Sequence, residues 1–355
     1  MRESWLNWLL LLVPVSIAIE LLGLPKLWLF VASALAIIPL AGLIGHATEQ
    51  LAHRVGPGIG GFLNATFGNA TELIIALFAL RAGLPEVVKA SITGSIIGNI
   101  LLVLGLSMLM GGWRRDKQIF NRTSAGASSA MLFLAVVALV MPAVFDLTIF
   151  GSLEFVTPAI EHLSLLVAIV LILTYVASLV FSLKTHRELF TSVPTEPEEA
   201  RLSLRNSILL LFAATIVTAV EAELLVDGIH EATAALGMTE FFVGVIVVAV
   251  VGNAAEHFAA VVMAIKNKMD LAVNIATGSS TQIALFVAPV LVLVSFLFGQ
   301  PMSLVFNSFE IVGVALSVVA LTVVSLDGES NWFEGLQLLA VYVVLAIVFY
   351  FVPAP

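Results

Sequence analysis

The chain has 355 residues, 60% of them hydrophobic and only 11% charged, with a mean hydropathy of +1.11. A soluble domain carries about a quarter charged residues, so that class is excluded and a polytopic α-helical membrane protein is expected. The net charge of -9 says little about partners, because the charges sit mostly in loops, and the lack of cysteine excludes disulfides, thiolate metal sites and a cysteine nucleophile.

Punctuation at Gly, Pro and charged clusters predicts eleven spans, roughly at 6–23, 27–52, 57–80, 85–110, 123–145, 159–183, 205–231, 239–265, 270–298, 303–325 and 332–352. The first follows Met1-Arg2-Glu3-Ser4 directly. No small-residue cleavage site comes after it, so a retained helix is expected rather than a signal peptide. The longest connection, "LKTHRELFTSVPTEPEEARLSLRN", carries Pro194, Pro197 and the Glu196, Glu198, Glu199 cluster of a solvated linker. The expected organisation is a first transmembrane helix in 1–26, a five-helix repeat in 27–183, a cytoplasmic linker in 184–204 and a second five-helix repeat in 205–355.

Lysine and arginine are retained on the cytoplasmic side of a membrane. With these spans, Arg2, Arg54, Arg114, Arg115, Lys117, Arg122, Lys184, Arg187, Arg201, Arg205, Lys266 and Lys268 fall on one side. Only Lys26, Arg81 and Lys89 fall on the other. The N-terminus is therefore expected in the cytoplasm and the C-terminus outside, or in an organelle lumen.

The two five-span stretches repeat one another. Gly68-Asn69-Ala70-Thr71-Glu72 matches Gly252-Asn253-Ala254-Ala255-Glu256 at an offset of 184 positions. The same offset carries Thr93-Gly94-Ser95 onto Thr277-Gly278-Ser279 and His46 onto His230. An odd number of spans per copy makes the second copy cross the membrane in the opposite direction. The expected fold is thus an all-α polytopic membrane protein of 11 transmembrane helices, one extra helix plus a 5+5 inverted-topology repeat. Secondary transporters built this way bind substrate near the midplane between repeats and alternate access by rocking. No Walker-type "GxxxxGK[ST]" loop is present, which disfavours ATP-driven pumping by this chain alone.

Glu72 and Glu256 are the residues to explain, because an ionised carboxylate inside a span costs several kcal/mol unless paired, protonated or coordinating a cation. No lysine or arginine is available at their depth. Permanent protonation or snorkelling to an interface would be structural answers; the duplication favours two carboxylates sharing a cation or two protons. Gly68 and Gly252 each precede an Asn, where a helix can loosen and expose carbonyl oxygens. Asn69, Asn253, Ser95, Asn99, Ser279, Ser280, Thr281 and Gln282 add uncharged oxygens, giving a hard, all-oxygen set suited to Ca²⁺. Ser95 and Ser279 serve equally well as close-packing positions.

Two glutamates neutralise one divalent cation. An empty dianionic pair in low dielectric is costly, so protons should take the departing cation's place. That is antiporter behaviour, with H⁺ and Na⁺ both open as counter-ion. His257 is a proton relay, a pH-sensing neighbour or a packed neutral imidazole. His46, Glu49, Glu221, Glu223, Asp227, His230 and Glu231 lie towards the ends of spans two and seven, some lining approaches and others at the outer interface. Glu310, alone in span ten, is not assigned.

"GNATELIIALFAL" and "GNAAEHFAAVVMAI" resemble the two signature repeats of the calcium/proton exchanger (CAX) family of the calcium/cation antiporter superfamily. "GSIIGNILLVLG" and "NIATGSSTQIAL" resemble its accompanying fourth- and ninth-span motifs. The Thr/Ser-Pro-Glu or Pro-Asp motifs of sodium/calcium exchangers are absent. The resemblance implies Ca²⁺ export from the cytosol in exchange for H⁺, with Glu72 and Glu256 binding cation and protons. It places Asn69, Asn253, Ser95, Asn99, Ser280 and Gln282 nearby, and Glu49 and Glu223 at positions that acidify the approaches. His257 matches the histidine after the second glutamate. The linker is shorter and less acidic than in some members, and the N-terminus is too short for the autoinhibitory extension of some plant members. Both favour a prokaryotic plasma-membrane protein. Implied partners are Ca²⁺, H⁺ and the lipid bilayer, with no cofactor and no nucleic acid; a homo-oligomer is left open. The rivals are Mn²⁺ exchange and Na⁺ coupling within the same class, and outside it a cation channel or an intramembrane hydrolase. The single duplicated acidic pair argues against the channel and the lack of HExxH against the hydrolase.

Overall fold

In hydrocarbon every backbone N–H and C=O must be satisfied within the protein, so the apolar runs close on themselves as helices. A computed structural model describes residues 6–55, 57–151, 153, 157–186 and 202–353. Most of the expected linker, 187–201, lies outside the described residues. After a short 3₁₀ turn, Leu6–Leu11, the helices are α1 (Leu12–Leu21), α2 (Lys26–Val55), α3 (Pro57–Phe67), α4 (Ala70–Arg81) and α5 (Pro85–Gly112). They continue with α6 (Arg122–Phe150), α7 (Pro158–Thr185), α8 (Leu204–Leu236), α9 (Glu240–Gly252) and α10 (Ala254–Ile265). The last three are α11 (Met269–Leu297), α12 (Ser308–Val324) and α13 (Trp332–Tyr350). A two-residue antiparallel ladder joins β1 (Gln118–Ile119) to β2 (Glu329–Ser330).

Among the described residues, seven helices are long and apolar enough to cross a membrane, and up to eight if the bent pair α9–α10 counts as one span. Leu6–Leu21 and Ser308–Val324 are shorter apolar helices. The run expected to be one span at 57–80 is two helices, α3 and α4, parted at Gly68-Asn69. The run at 239–265 is likewise α9 and α10, bent by 59° about Asn253.

The helices group into two compact units, and neither coincides with a half of the sequence. The first holds residues 1–91, 194–255 and 352–355. Its centre is the pair α2 and α8. Ile44, Ala47 and Leu51 of α2 pack with Leu211 and Ala214 near the start of α8, and Ala70 of α4 joins them. At the other end, Leu29 and Ala32 of α2 meet Ile19 of α1 and Leu224 of α8. Early residues of one helix thus meet late residues of the other, so the pair is antiparallel. Gly228 permits the approach: a Cβ there would lie 2.9 Å from that of Phe30. Lys26 Nζ reaches Asp227 at 2.7 Å, and the Lys26 N–H donates to Glu231 at 3.1 Å.

The second unit holds 92–193 and 256–351. There α5 and α13 come together at two glycines, since a Cβ on Gly105 would stand 3.0 Å from the Gly335 carbonyl oxygen. Such contacts are how helices associate where lipid removes the hydrophobic drive. Trp113 and Trp332 stack edge to face at 6.1 Å beside the β1–β2 ladder, and Lys117 Nζ bridges to Glu329 at 2.6 Å. Both tryptophans are exposed, as aromatic residues at a bilayer interface are.

Candidate ion-binding residues at two helix breaks

Within the first unit, α3 ends with the Gly68 N–H on the Asn64 carbonyl at 2.8 Å. Asn69 then leaves helical geometry at φ -106°, ψ 29°, and α4 restarts with Leu73 N–H on the Asn69 carbonyl. Glu72 falls in the first turn of the new helix. Asn253 repeats this at φ -94°, ψ 10°, its side-chain amide donating to the Ala249 carbonyl at 2.8 Å, and Glu256 falls in the first turn of α10. A restarted helix presents first-turn N–H groups and the positive end of its dipole, which favour a carboxylate there. The two breaks therefore give both glutamates a common electrostatic setting. Both asparagines are buried.

The last turn of α9 packs against α4. A Cβ on Gly252 would stand 3.1 Å from Glu72 Cγ, so the bare glycine leaves the space that the Glu72 side chain occupies. Glu72 and Asn253 belong to this unit and Glu256 to the other.

In the second unit, Asn99 Nδ2 on α5 donates to Ser279 Oγ on α11 at 3.0 Å, both groups buried. Ser95 is buried one turn before Asn99. The Ser280 hydroxyl, also buried, donates to its own helix at the Ala276 carbonyl, 2.9 Å away. Gln282 and His257 are half-buried. Both helices widen into π-helical stretches here, Gly98–Val103 on α5, which includes Asn99, and Ile283–Val287 on α11, just past Gln282. The 184-residue offset maps one onto the other within a residue. Such bulges recur at functional sites because they free backbone groups from the regular ladder.

Glu49 and Glu223 are exposed, on α2 and α8, and are not drawn into either cluster. On α2, His46 and His53 share the exposed face of Glu49; on α8, Asp227 and His230 share that of Glu223. Glu221 lies mid-helix and wholly buried rather than at an approach. Glu310, unassigned from sequence, is buried at the start of α12. It accepts from the Thr93 hydroxyl at 2.9 Å and from the Asn307 N–H at 2.8 Å. The Asn307–Glu310 spacing is a capping-box signature carried by the sequence itself. Among the described residues no three His, Asp or Glu side chains form a metal cluster.

The sodium/calcium exchanger protein family model matches residues 25–184 and 206–351. A Ca(2+)/H(+) antiporter of Aphanothece halophytica is 48% identical over 97% of this chain and 96% of its own. The Ca(2+)/H(+) antiporter ChaA of Bacillus subtilis is 48% identical over 95% of this chain and 96% of its own. The solved structure of native YfkE superposes with a TM-score of 0.83 at 45% identity, covering 96% of this chain and 97% of that one. With the family model accounting for most of its length in two stretches, and full-length relatives at nearly half identity, the chain belongs to the sodium/calcium exchanger protein family.

Proposed function

We propose that the chain is a secondary antiporter that moves Ca²⁺ in exchange for H⁺, exporting Ca²⁺ from the cytosol. The observation that carries this reading is 48% identity, over nearly the whole of both chains, with proteins named Ca(2+)/H(+) antiporters. Glu72 and Glu256 are the carboxylates that hold either the cation or protons. Asn69, Asn253, Ser95, Asn99, Ser280 and Gln282 contribute neutral oxygens or position them. The support is the matched pair of helix breaks, each followed by a glutamate in the first turn of the new helix. Ser280, which donates to its own backbone, keeps its oxygen lone pairs as acceptors for a cation.

The architecture that goes with this function is eleven spans, one extra helix and two inverted five-helix repeats. Two observations support it. The family model matches each half of the chain separately. The offset-related helices α2 and α8 pack antiparallel, as inverted copies require. Glu49 with His46, and Glu223 with Asp227, line polar approaches from opposite sides, because a charged group within a span faces water or protein rather than lipid. His257 modulates proton exchange at the neighbouring Glu256. The protein sits in a plasma membrane with its N-terminus in the cytoplasm.

Transport in proteoliposomes tests this directly. An imposed pH gradient should drive radioactive Ca²⁺ uptake without Na⁺, and Glu72→Gln or Glu256→Gln should abolish it. Uptake persisting in both variants would remove the two glutamates from the mechanism. A requirement for Na⁺, or a preference for Mn²⁺ over Ca²⁺, would reassign the ions while keeping the antiport.

A further inference from the structure

Glu221 sits about halfway along the 33-residue α8, and its side chain is wholly buried within the first unit. Its neighbours come from three helices. From α1, Ser16 Oγ lies 2.7 Å from Glu221 Oε1. From α2, the buried Ser33 is the other hydroxyl beside the carboxyl. From α8 itself, Thr218, also buried, lies three residues earlier. The charged residues on these elements are Glu20 on α1, Lys26, Glu49 and Arg54 on α2, and Arg205, Glu221, Glu223, Asp227 and Glu231 on α8, with His46 and His53 on α2 and His230 on α8. Lys26 is committed to Asp227. No described lysine, arginine or histidine forms an ion pair with Glu221.

Proton counting decides the state of this carboxyl. Ser16 Oγ is within hydrogen-bond distance of two acceptors, Glu221 Oε1 at 2.7 Å and the Val13 carbonyl oxygen at 2.8 Å. A serine hydroxyl has one hydrogen and can also accept. If Ser16 donates to Val13, the contact with Glu221 needs a hydrogen from the carboxyl. If Ser16 donates to Glu221, the anion has neutral hydroxyls beside it and no cation in a region closed to water. An uncompensated buried carboxylate is far costlier than a neutral acid that completes the chain Glu221 O–H to Ser16 O–H to Val13 C=O.

We infer that Glu221 is a further proton-binding site, separate from Glu72 and Glu256, whose resident proton fastens α1 to the α2–α8 pair. The proton is a fixture rather than cargo, because Ser16, Ser33 and Glu221 are all closed to solvent. This gives the extra first helix a chemical attachment to the repeat. It stands whether or not the proposed ion exchange is correct.

Infrared spectroscopy of the full chain in lipid tests the inference. One component of the carbonyl stretch of protonated carboxylic acids should be present in the wild type, persist in the Glu72→Gln/Glu256→Gln double variant, and be lost from the difference spectrum when Glu221→Gln is added to that background. Glutamine can donate to Ser16 as the acid does, so Glu221→Gln should leave Ca²⁺ uptake within twofold of wild type and protons exchanged per Ca²⁺ unchanged. Ser16→Ala, a second route should that variant not fold, should shift the same band towards the frequency of a free acid. The inference is overturned if adding Glu221→Gln to the double variant removes no component of the band, or if that component ignores Ser16→Ala. It is overturned equally if Glu221→Gln lowers the proton count per Ca²⁺, which would make this proton cargo.

Discussion

The Glu72 side chain rests against Gly252, the residue just before the second helix break, with 3.1 Å between Glu72 Cγ and the place a Cβ would take. The two signature stretches therefore meet through the absence of a side chain. Adding one methyl at 252 forces Glu72 to give by a few tenths of an ångström, and a larger group evicts it. Overpacking of this kind costs about 1–3 kcal/mol. Gly252→Ala should lower the apparent Ca²⁺ affinity by roughly 5- to 150-fold while the protein still folds, and Gly252→Leu should abolish uptake. Concentration-dependent uptake, read beside thermal unfolding, separates the two effects. Wild-type affinity in Gly252→Leu would show that Glu72 does not use this space.

Asn99 and Ser279 join α5 to α11 through a buried hydrogen bond. A double-mutant cycle with Asn99→Ala and Ser279→Ala should give a coupling energy of about 0.5–1.5 kcal/mol in stability. Each single variant should also slow transport. Additive losses, with no coupling, would show that the pair is adjacent without being bonded.

Glu310 closes the capping box of α12 and accepts the Thr93 hydroxyl from α5, two residues before Ser95. Glu310→Ala should cost about 2–4 kcal/mol, because a cap and a buried acceptor are lost together. Glu310→Gln keeps an acceptor and a residue competent for the box, and should cost under about 1 kcal/mol. Chemical or thermal denaturation in detergent distinguishes them. If the glutamine variant loses transport while remaining stable, the charge itself takes part in ion movement.

The Lys26–Asp227 bridge offers a contrast. Both side chains are more than a third exposed, at 38% and 45%, so solvent screens the pair. Lys26→Met should change stability by less than about 1 kcal/mol despite the short 2.7 Å contact. A larger loss would mean that the backbone bond from Lys26 to Glu231, rather than the ion pair, had been disturbed.

What could be read beforehand is what repeats or punctuates. Gly68-Asn69 and Gly252-Asn253 interrupt apolar runs, and both runs are indeed broken there. The helical class follows from composition together with the length of the apolar runs. The burial of Glu221 is not legible in the sequence, because it depends on Ser16, more than two hundred residues away on α1. Glu310 is hard to place for a local reason, since its partner Asn307 caps a helix that begins at Ser308, inside the span expected from 303. The π-helical stretches have no compositional signature: "GNILLV" and "IALFV" read as ordinary apolar helix.

Those stretches have a consequence for engineering the chain. A π turn is a regular helix carrying one surplus residue, so the faces before and after it are out of step by that residue. Removing one residue from Gly98–Val103 should let α5 relax into an unbroken α-helix while everything beyond Leu104 is rotated with respect to Ser95 and Asn99. Length variants at this place would alter which side chains share a face without changing a single one of them.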